Sequence, residues 1–232
     1  VNIRFVASSP HVLEVRSKPV PASTCIPEWW KNIPVYSNPS RTLDVDPLAT
    51  VTAKKCFPLL DGITAGYLVT LWSDLLVTRD NQGLPFVKWS VKEPVVEAWP
   101  LAQSASYEIP KGFSKVVFKY LHGWVIETPK NYSCLITHPI GYPNLPIRTL
   151  TGVVDTDVLE THANSPFVIE DSFEGIIPKG TPMFQVIPFK RENWEMEISE
   201  MKEKDIFYRY ERLHSTISSS YGRLLRSKKV FK

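Results

Sequence analysis

Apolar residues recur along most of this chain in short alternating runs, and breakers interrupt each run before it grows long. The opening segments "VNIRFVASSP" and "HVLEVRSKPVPA" alternate on either side of a Ser-Pro breaker and predict short strands. In "CIPEWWKNIPVYSNPSR" (25–41) the prolines stand too close for a long helix, and one helical turn over Glu28–Lys31 is expected after Pro27. Trp29 and Trp30 are adjacent, so both cannot point into one core. One is expected to cap the core and the other to meet another loop or a partner. Residues 49–80 predict two or three strands ending in the turn "RDNQGLP", and 86–99 alternates again. Turn signals at Pro-Lys-Gly, His-Gly and Thr-Pro-Lys divide 108–141 into further strands. The pattern predicts strands and turns throughout 108–189. It places Val153 and Val154 near a core or subunit seam and Gly180 in a tight turn. No long amphipathic helix is expected before Phe189.

The end of the chain changes character. Residues 191–232 contain no proline and begin acidic. Ile206, Phe207, Tyr210, Leu213 and Ile217 form an apolar stripe at helical spacing, which predicts a helix over 198–218 ended by the serines of 215–220. The expected organisation is an N-terminal arm of short strands and loops (1–50), a β core (51–190), and a C-terminal helix with a basic tail (191–232).

Composition narrows the classes. The chain has 232 residues, 43% apolar and 12% aromatic, enough to bury a real core. Twenty prolines against ten glycines, spread along the chain, fit many short strands with fixed turns. No run of about 18 apolar residues is present, so no transmembrane helix and no membrane partner are expected. No basic-then-apolar leader is seen, which predicts a protein not secreted through a signal peptide. Cys25, Cys56 and Cys134 lack any Cys-x-x-Cys spacing, which argues for free thiols rather than disulfides or zinc. A net charge of +3 is too mild to announce nucleic-acid binding.

Candidate chemistry is sparse. No Walker loop, Gly-x-Ser-x-Gly elbow or Gly-x-Gly-x-x-Gly occurs. His122, His138 and His162 with Asp155 and Asp157 could be assembled into a two-histidine-one-carboxylate metal site. Ordinary loop histidines explain the pattern as well, and no metal site is predicted. Cys134 lies in an expected strand, a poor place for a nucleophile. Arg223, Arg226, Lys228, Lys229 and Lys232 make the tail basic, suited to an acidic partner or to plain solvation.

Four segments in order are "ITAGYLV" (63–69), "TPKNYSCLITHPIG" (128–141), "LTGVVDTDVLE" (150–160) and "IIPKGTPMFQVIPF" (176–189). Together they resemble the motif series of the dUTPase-like β-clip superfamily. The resemblance covers roughly 60–190 and implies a mainly β fold with a β-clip core. It implies that Asp155 stands where a dUTPase orients the water that attacks the α-phosphate. Ser133 and Gln185 match phosphate-facing positions, and Asp157 completes the candidate ligand-binding set. Several family positions differ. Leu68 replaces a carboxylate near the magnesium shell, Val158 replaces the tyrosine that packs under the sugar, and the second motif lacks its arginine and glycine. "SSSYGRLL" (218–225) is a faint counterpart of the glycine-rich closing tail. Turn and apolar positions persist while reactive positions do not, so the resemblance implies a retained fold more than a retained reaction.

The segments "IPEWWK", "KKCFPLLDGITAGY" and "RTLTGVVDTD…IPKGTPMFQVIPFKRE" are also similar to an uncharacterised family of bacteriophages and some bacteria. The combined expectation is a non-enzymatic viral protein, a virion or assembly component located in the virion or host cytoplasm. Its partners would be other, viral, protein subunits, with a homo-oligomer (a trimer by fold analogy) and no nucleic acid. Trp29, Trp30, Arg223 and Arg226 are the candidate partner contacts. No cofactor is expected. The alternative is a divergent nucleotide or small-molecule hydrolase using Asp155, with magnesium, or a metal-dependent enzyme.

Overall fold

The structure is a computed structural model that describes residues 1–37, 52–214 and 221–232, without the side chains of 101, 212–214 and 223–224. In chain order its elements are β1 (Arg4–Ala7), α1 (Pro10–Val15), β2 (Val20–Pro21), α2 (Glu28–Asn32), α3 (Phe57–Ile63), β3 (Tyr67–Thr70), β4 (Leu75–Arg79) and β5 (Pro85–Lys88). There follow β6 (Val96–Ala98), α4 (Leu101–Ser104), β7 (Phe113–Tyr120), β8 (Trp124–Glu127), β9 (Tyr132–Thr137), β10 (Ile147–Thr149) and β11 (Gly152–Val154). The last are β12 (Ser165–Glu170), β13 (Gly175–Ile177), β14 (Pro182–Lys190) and α5 (Glu203–His214). The molecule is mainly β and carries a C-terminal helix.

The strands form sheets in the orders β11-β9-β14-β3-β2, β10-β12-β7-β6, β13-β4-β5 and β1-β8. Every pairing is antiparallel. Their inner faces meet in one core that includes Val69, Leu75, Phe118, Tyr120, Phe167, Met183 and Phe184. The sheet β10-β12-β7-β6 is buried on its other face as well, where Val117, Leu150 and Val168 pack with Trp99, Ile109 and Phe113. Burial on both faces explains why "VVF" and "FVI" read as continuous apolar runs rather than alternating ones.

The four dUTPase-like segments meet in one sheet, apart from Ile176 and Ile177 at the start of the fourth, which belong to β13. They supply β3, β9, β11 and β14, which are neighbours in β11-β9-β14-β3. Gly66, just before β3, has φ +63, and a Cβ there would lie 1.9 Å from the Val186 carbonyl oxygen of β14, so only glycine permits this approach. Gly180 also has positive φ, +89, in the turn closed by the Thr181 N–H on the Pro178 carbonyl at 3.1 Å. Between residues 105 and 190 the described backbone is strand, turn and loop alone. Val154 packs against the core from its edge, whereas Val153 is exposed.

Three expectations are corrected. The Ser-Pro pair read as a breaker before a strand instead starts α1: the Ser9 hydroxyl accepts the Val12 N–H at 3.3 Å, and Pro10 occupies the first helical turn. The C-terminal helix starts at Glu203 rather than at 198, after residues without regular structure; it is described over Glu203–His214, and 215–218 lie outside the described residues. The tail is not simply solvated. Arg226 and Lys229 pair with Asp61 of α3, at 2.5 and 2.9 Å, and Phe231 meets Tyr67 edge-on at 6.1 Å.

The N-terminal residues are woven into the body rather than set apart. β1 pairs with β8, and β2 extends the sheet beside β3. α2 forms where the single turn was expected. It turns Trp30 into the interior, while Trp29 stays at the surface with its indole N–H on the Gly141 carbonyl at 2.6 Å.

Candidate functional site

β9 and β11 run antiparallel with Cys134 opposite Val154, so the chain leaving β11 carries Asp155 beside Ser133. The Val158 and Leu159 N–H groups bond the Asp155 carbonyl, at 3.1 and 3.0 Å, and turn the chain back. On the other side of β9, β14 places Phe189 opposite Ser133 and Lys190 opposite Tyr132. Arg191 comes immediately after, fixed by its N–H on the Asn131 carbonyl at 2.7 Å. Three strand ends thus converge on one corner.

Arg191 fills that corner. Its guanidinium grips Asp157 with two bonds, Nη1 to Oδ1 at 2.8 Å and Nη2 to Oδ2 at 2.5 Å. Nη1 also reaches the Ser133 hydroxyl at 2.9 Å and Asp155 Oδ1 at 3.2 Å. The buried Ser133 hydroxyl donates to the same Asp155 oxygen at 2.7 Å. Asn131, in the left-handed region at φ 70, gives its N–H to Asp157 Oδ2 at 2.8 Å. The Arg191 fork, seconded by the Asn131 N–H, holds the Asp157 carboxyl down at about 2. Asp157 in turn raises the Arg191 guanidinium. The two carboxylates differ in access: the Asp157 side chain is 3% exposed and that of Asp155 58%.

Ser133, Asp155 and Asp157 are therefore brought together, and Gln185 is not with them. It lies four positions before Phe189 on β14, about 13 Å along the strand. Its amide donates to the carbonyls of Gly62 and Ala65, at 3.0 and 2.6 Å, and accepts the Ile140 N–H at 2.9 Å. It is fully buried and ties α3 to the loop after β9. Leu68 is likewise buried in the core, and Val158 is exposed on the turn.

Two of the three candidate histidines are committed elsewhere, and His162 lies with its ring 6.3 Å from that of His122. His122 Nε2 faces the Ala163 carbonyl at 2.7 Å, and its Nδ1 accepts the Trp124 N–H at 3.1 Å. Burial pushes its pKa down to about 4, so it is neutral in the fold. His138 bridges the Tyr142 carbonyl and the Thr149 N–H in the same manner, at 3.1 and 3.3 Å, and burial lowers its pKa too. Among the described residues, no group of three or more His, Cys, Asp or Glu side chains stands together to hold a metal ion. Burial pushes the Cys134 thiol up, away from the thiolate a nucleophile requires.

Of the partner-contact candidates, Trp29 lies on the surface and Trp30 in the interior. Arg226 is engaged by Asp61 of its own chain, and the Arg223 side chain lies outside the described residues. Sequence reasoning missed Arg191 and Asn131. Arg191 stood directly after the fourth segment, in "PFKRE", the one available signal for it.

No protein-family model and no curated protein matches the sequence. Among solved structures, a mutant dUTPase of Staphylococcus bacteriophage 80alpha, determined with dUpNHpp, is similar over 56% of this chain and 89% of its own. The identity is 16% and the TM-score 0.26.

Proposed function

We propose that this chain is a non-enzymatic component of a phage particle or of its assembly, built on a dUTPase-like core whose reactive positions now hold the fold together. One observation carries the reading: Arg191 binds both motif aspartates and the motif serine at once. A carboxylate that orients a water must offer a basic oxygen toward substrate. Oδ1 of Asp155 instead accepts from the Ser133 hydroxyl and the Arg191 guanidinium, so that oxygen is engaged within the fold. Magnesium requires oxygen ligands, and Leu68 supplies none. The viral part of the reading rests on the sequence resemblance to the bacteriophage family. The exposure of Asp155 favours the rival reading, a divergent hydrolase with magnesium.

The test is pyrophosphate release from dUTP with magnesium, comparing the protein with Asp155→Asn. The expected outcome is no turnover above the variant. Magnesium-dependent turnover that vanishes in Asp155→Asn would restore the hydrolase. In infected cells an assembly component co-purifies with particles in fixed stoichiometry, whereas an enzyme stays in the lysate.

A further inference from the structure

The chain leaves the body of the molecule after Arg191 and later returns to it. Every residue from Glu192 to Glu211 is exposed. Trp194, Met196, Ile198, Ile206 and Phe207 are among them, so this stretch forms no core with its own sheets. The tail then docks again. Gly222 lies against the Phe57 ring, where an added Cβ would come 2.2 Å from a ring carbon. Arg226 and Lys229 pair with Asp61 at 2.5 and 2.9 Å, and the Asp61 side chain is only 10% exposed, so this pair is screened less than a surface one. Phe231 meets Tyr67 edge-on, and the Tyr67 hydroxyl donates to the Lys232 carbonyl at 3.2 Å. Phe57, Asp61 and Tyr67 thus form a seat, and its occupant is in place: residues 221–232 of this chain.

The connector does not tie that occupant to its own seat. Tyr67 stands opposite Val186 of β14, and Arg191 follows Val186 by five positions, about 17 Å along the strand. The connector, 192–220, has 29 residues, 12 of them in α5. With that helix intact it still reaches up to about 70 Å. That is several times the gap within one chain, and it exceeds the breadth of about 45 Å expected of a chain this size. A docked segment beyond a long exposed connector is suited to exchange between copies, because the exchanged contacts are the ones already made. We propose that residues 221–232 of one copy occupy the Phe57, Asp61 and Tyr67 seat of a second copy, which returns its own tail to the first. Reciprocal exchange also brings the two connectors alongside each other, so the apolar side chains of 194–207 gain a neighbour of the same kind. The seat lies on α3 and β3 and includes none of Ser133, Asp155 and Asp157. The proposal therefore goes beyond the reading of the Arg191 corner and does not depend on it.

Charge reversal tests it, because mixing separates exchange from docking within one chain. The seat variant is Asp61→Arg, and the tail variant is Arg226→Glu with Lys229→Glu. By light scattering after size exclusion the unaltered protein should have the mass of two chains. Each variant alone sets like charges against each other and should associate at least roughly tenfold more weakly. In an equimolar mixture, a pair of unlike copies has one original contact between seat and tail and one with both signs reversed. The mass of two chains should therefore return. Tails docked within their own chains would gain nothing from mixing. Circular dichroism checks folding, and Asp61→Lys replaces the seat variant if that one unfolds. An unaltered protein with the mass of one chain, variants that pair as well as the unaltered protein, or a mixture that stays at one chain would each overturn the proposal. The dUTP assay reads a different site. Turnover by a protein of two chains sinks the non-enzymatic reading alone, and an inactive protein of one chain sinks the exchange alone.

Discussion

Gln185 gives both amide N–H bonds to carbonyls, of Gly62 and Ala65, and accepts a third bond from the Ile140 N–H. Replacing it with leucine keeps the volume and removes every partner. Three part-buried backbone groups then lose the bonds Gln185 makes to them, although the Gly62 carbonyl keeps the Ala65 N–H at 3.3 Å, and each group left unpaired costs about 1–3 kcal/mol. Gln185→Leu is expected to destabilise the fold by roughly 3 kcal/mol or more, read as a lower urea midpoint with an unchanged slope. A phosphate-facing role alone would leave stability nearly unaltered. The aspartates were legible in the sequence because "GVVDTD" is distinctive. What they bond was not, because Arg191 reaches Asp155 and Asp157 only after β14 has paired with β9. A side chain 34 positions away in sequence has no local signature.

At the scale of elements, strands with one buried face and tight turns were readable, and starts of short helices were not. Ser9-Pro10 carries the same letters whether it breaks a strand or caps a helix, and the residues after it decide between the two. α3 hid in a stretch read for its strands because Phe57–Ile63 is short, apolar and without helical periodicity of its own. That helix matters to the tail. Its Asp61 holds Arg226 and Lys229, and Arg226 also stacks over the Phe57 ring at 4.9 Å from its centroid. The Arg226 bond, with Lys229 behind it, lowers the Asp61 carboxyl below its ordinary value. A carboxylate lowered in the fold contributes stability above its unfolded pKa, and that contribution is lost as pH falls through the folded value. Gly222 lies so close to Phe57 that an added Cβ would come 2.2 Å from a ring carbon. Asp61→Asn is therefore expected to loosen residues 221–232 and speed tryptic cleavage after Arg226, Lys228 and Lys229. The melting temperature should move little, because the core is untouched. Cleavage at the unaltered rate would mean that Asp61 does not anchor the tail.

At the scale of the molecule, class and strand content were visible in the sequence, and so was the order of the four β segments. Sheet order was not, because antiparallel pairing between strands far apart in sequence is set by packing rather than by local pattern. One buried group couples the assembled sheets to pH. His122 comes just after β7, its ring 5.0 Å from that of Phe184 in β14 and 6.0 Å from that of Tyr120. The bond between Nε2 and the Ala163 carbonyl and the Trp124 N–H on Nδ1 fix the neutral ring. Its folded pKa is depressed to about 4, while an unfolded histidine titrates near 6.5. Between those values the unfolded chain binds the extra proton and the folded chain does not, so stability rises with pH across that window and falls on acidification. From pH 7 to pH 5 the protein is expected to lose roughly 2 kcal/mol through this group alone. His122→Gln offers an acceptor and a donor but cannot titrate, so its urea midpoint should fall less over the same interval, even if lower throughout, with His138, whose pKa burial also lowers, retaining its own acid sensitivity. Asp157, with its folded pKa at about 2, works in a separate range, because its contribution disappears only below the ordinary carboxylate pKa. Parallel pH profiles for the unaltered protein and His122→Gln between pH 7 and 5 would show that the acid sensitivity arises elsewhere. Convergence of the two curves on acidification is the signature of the buried imidazole.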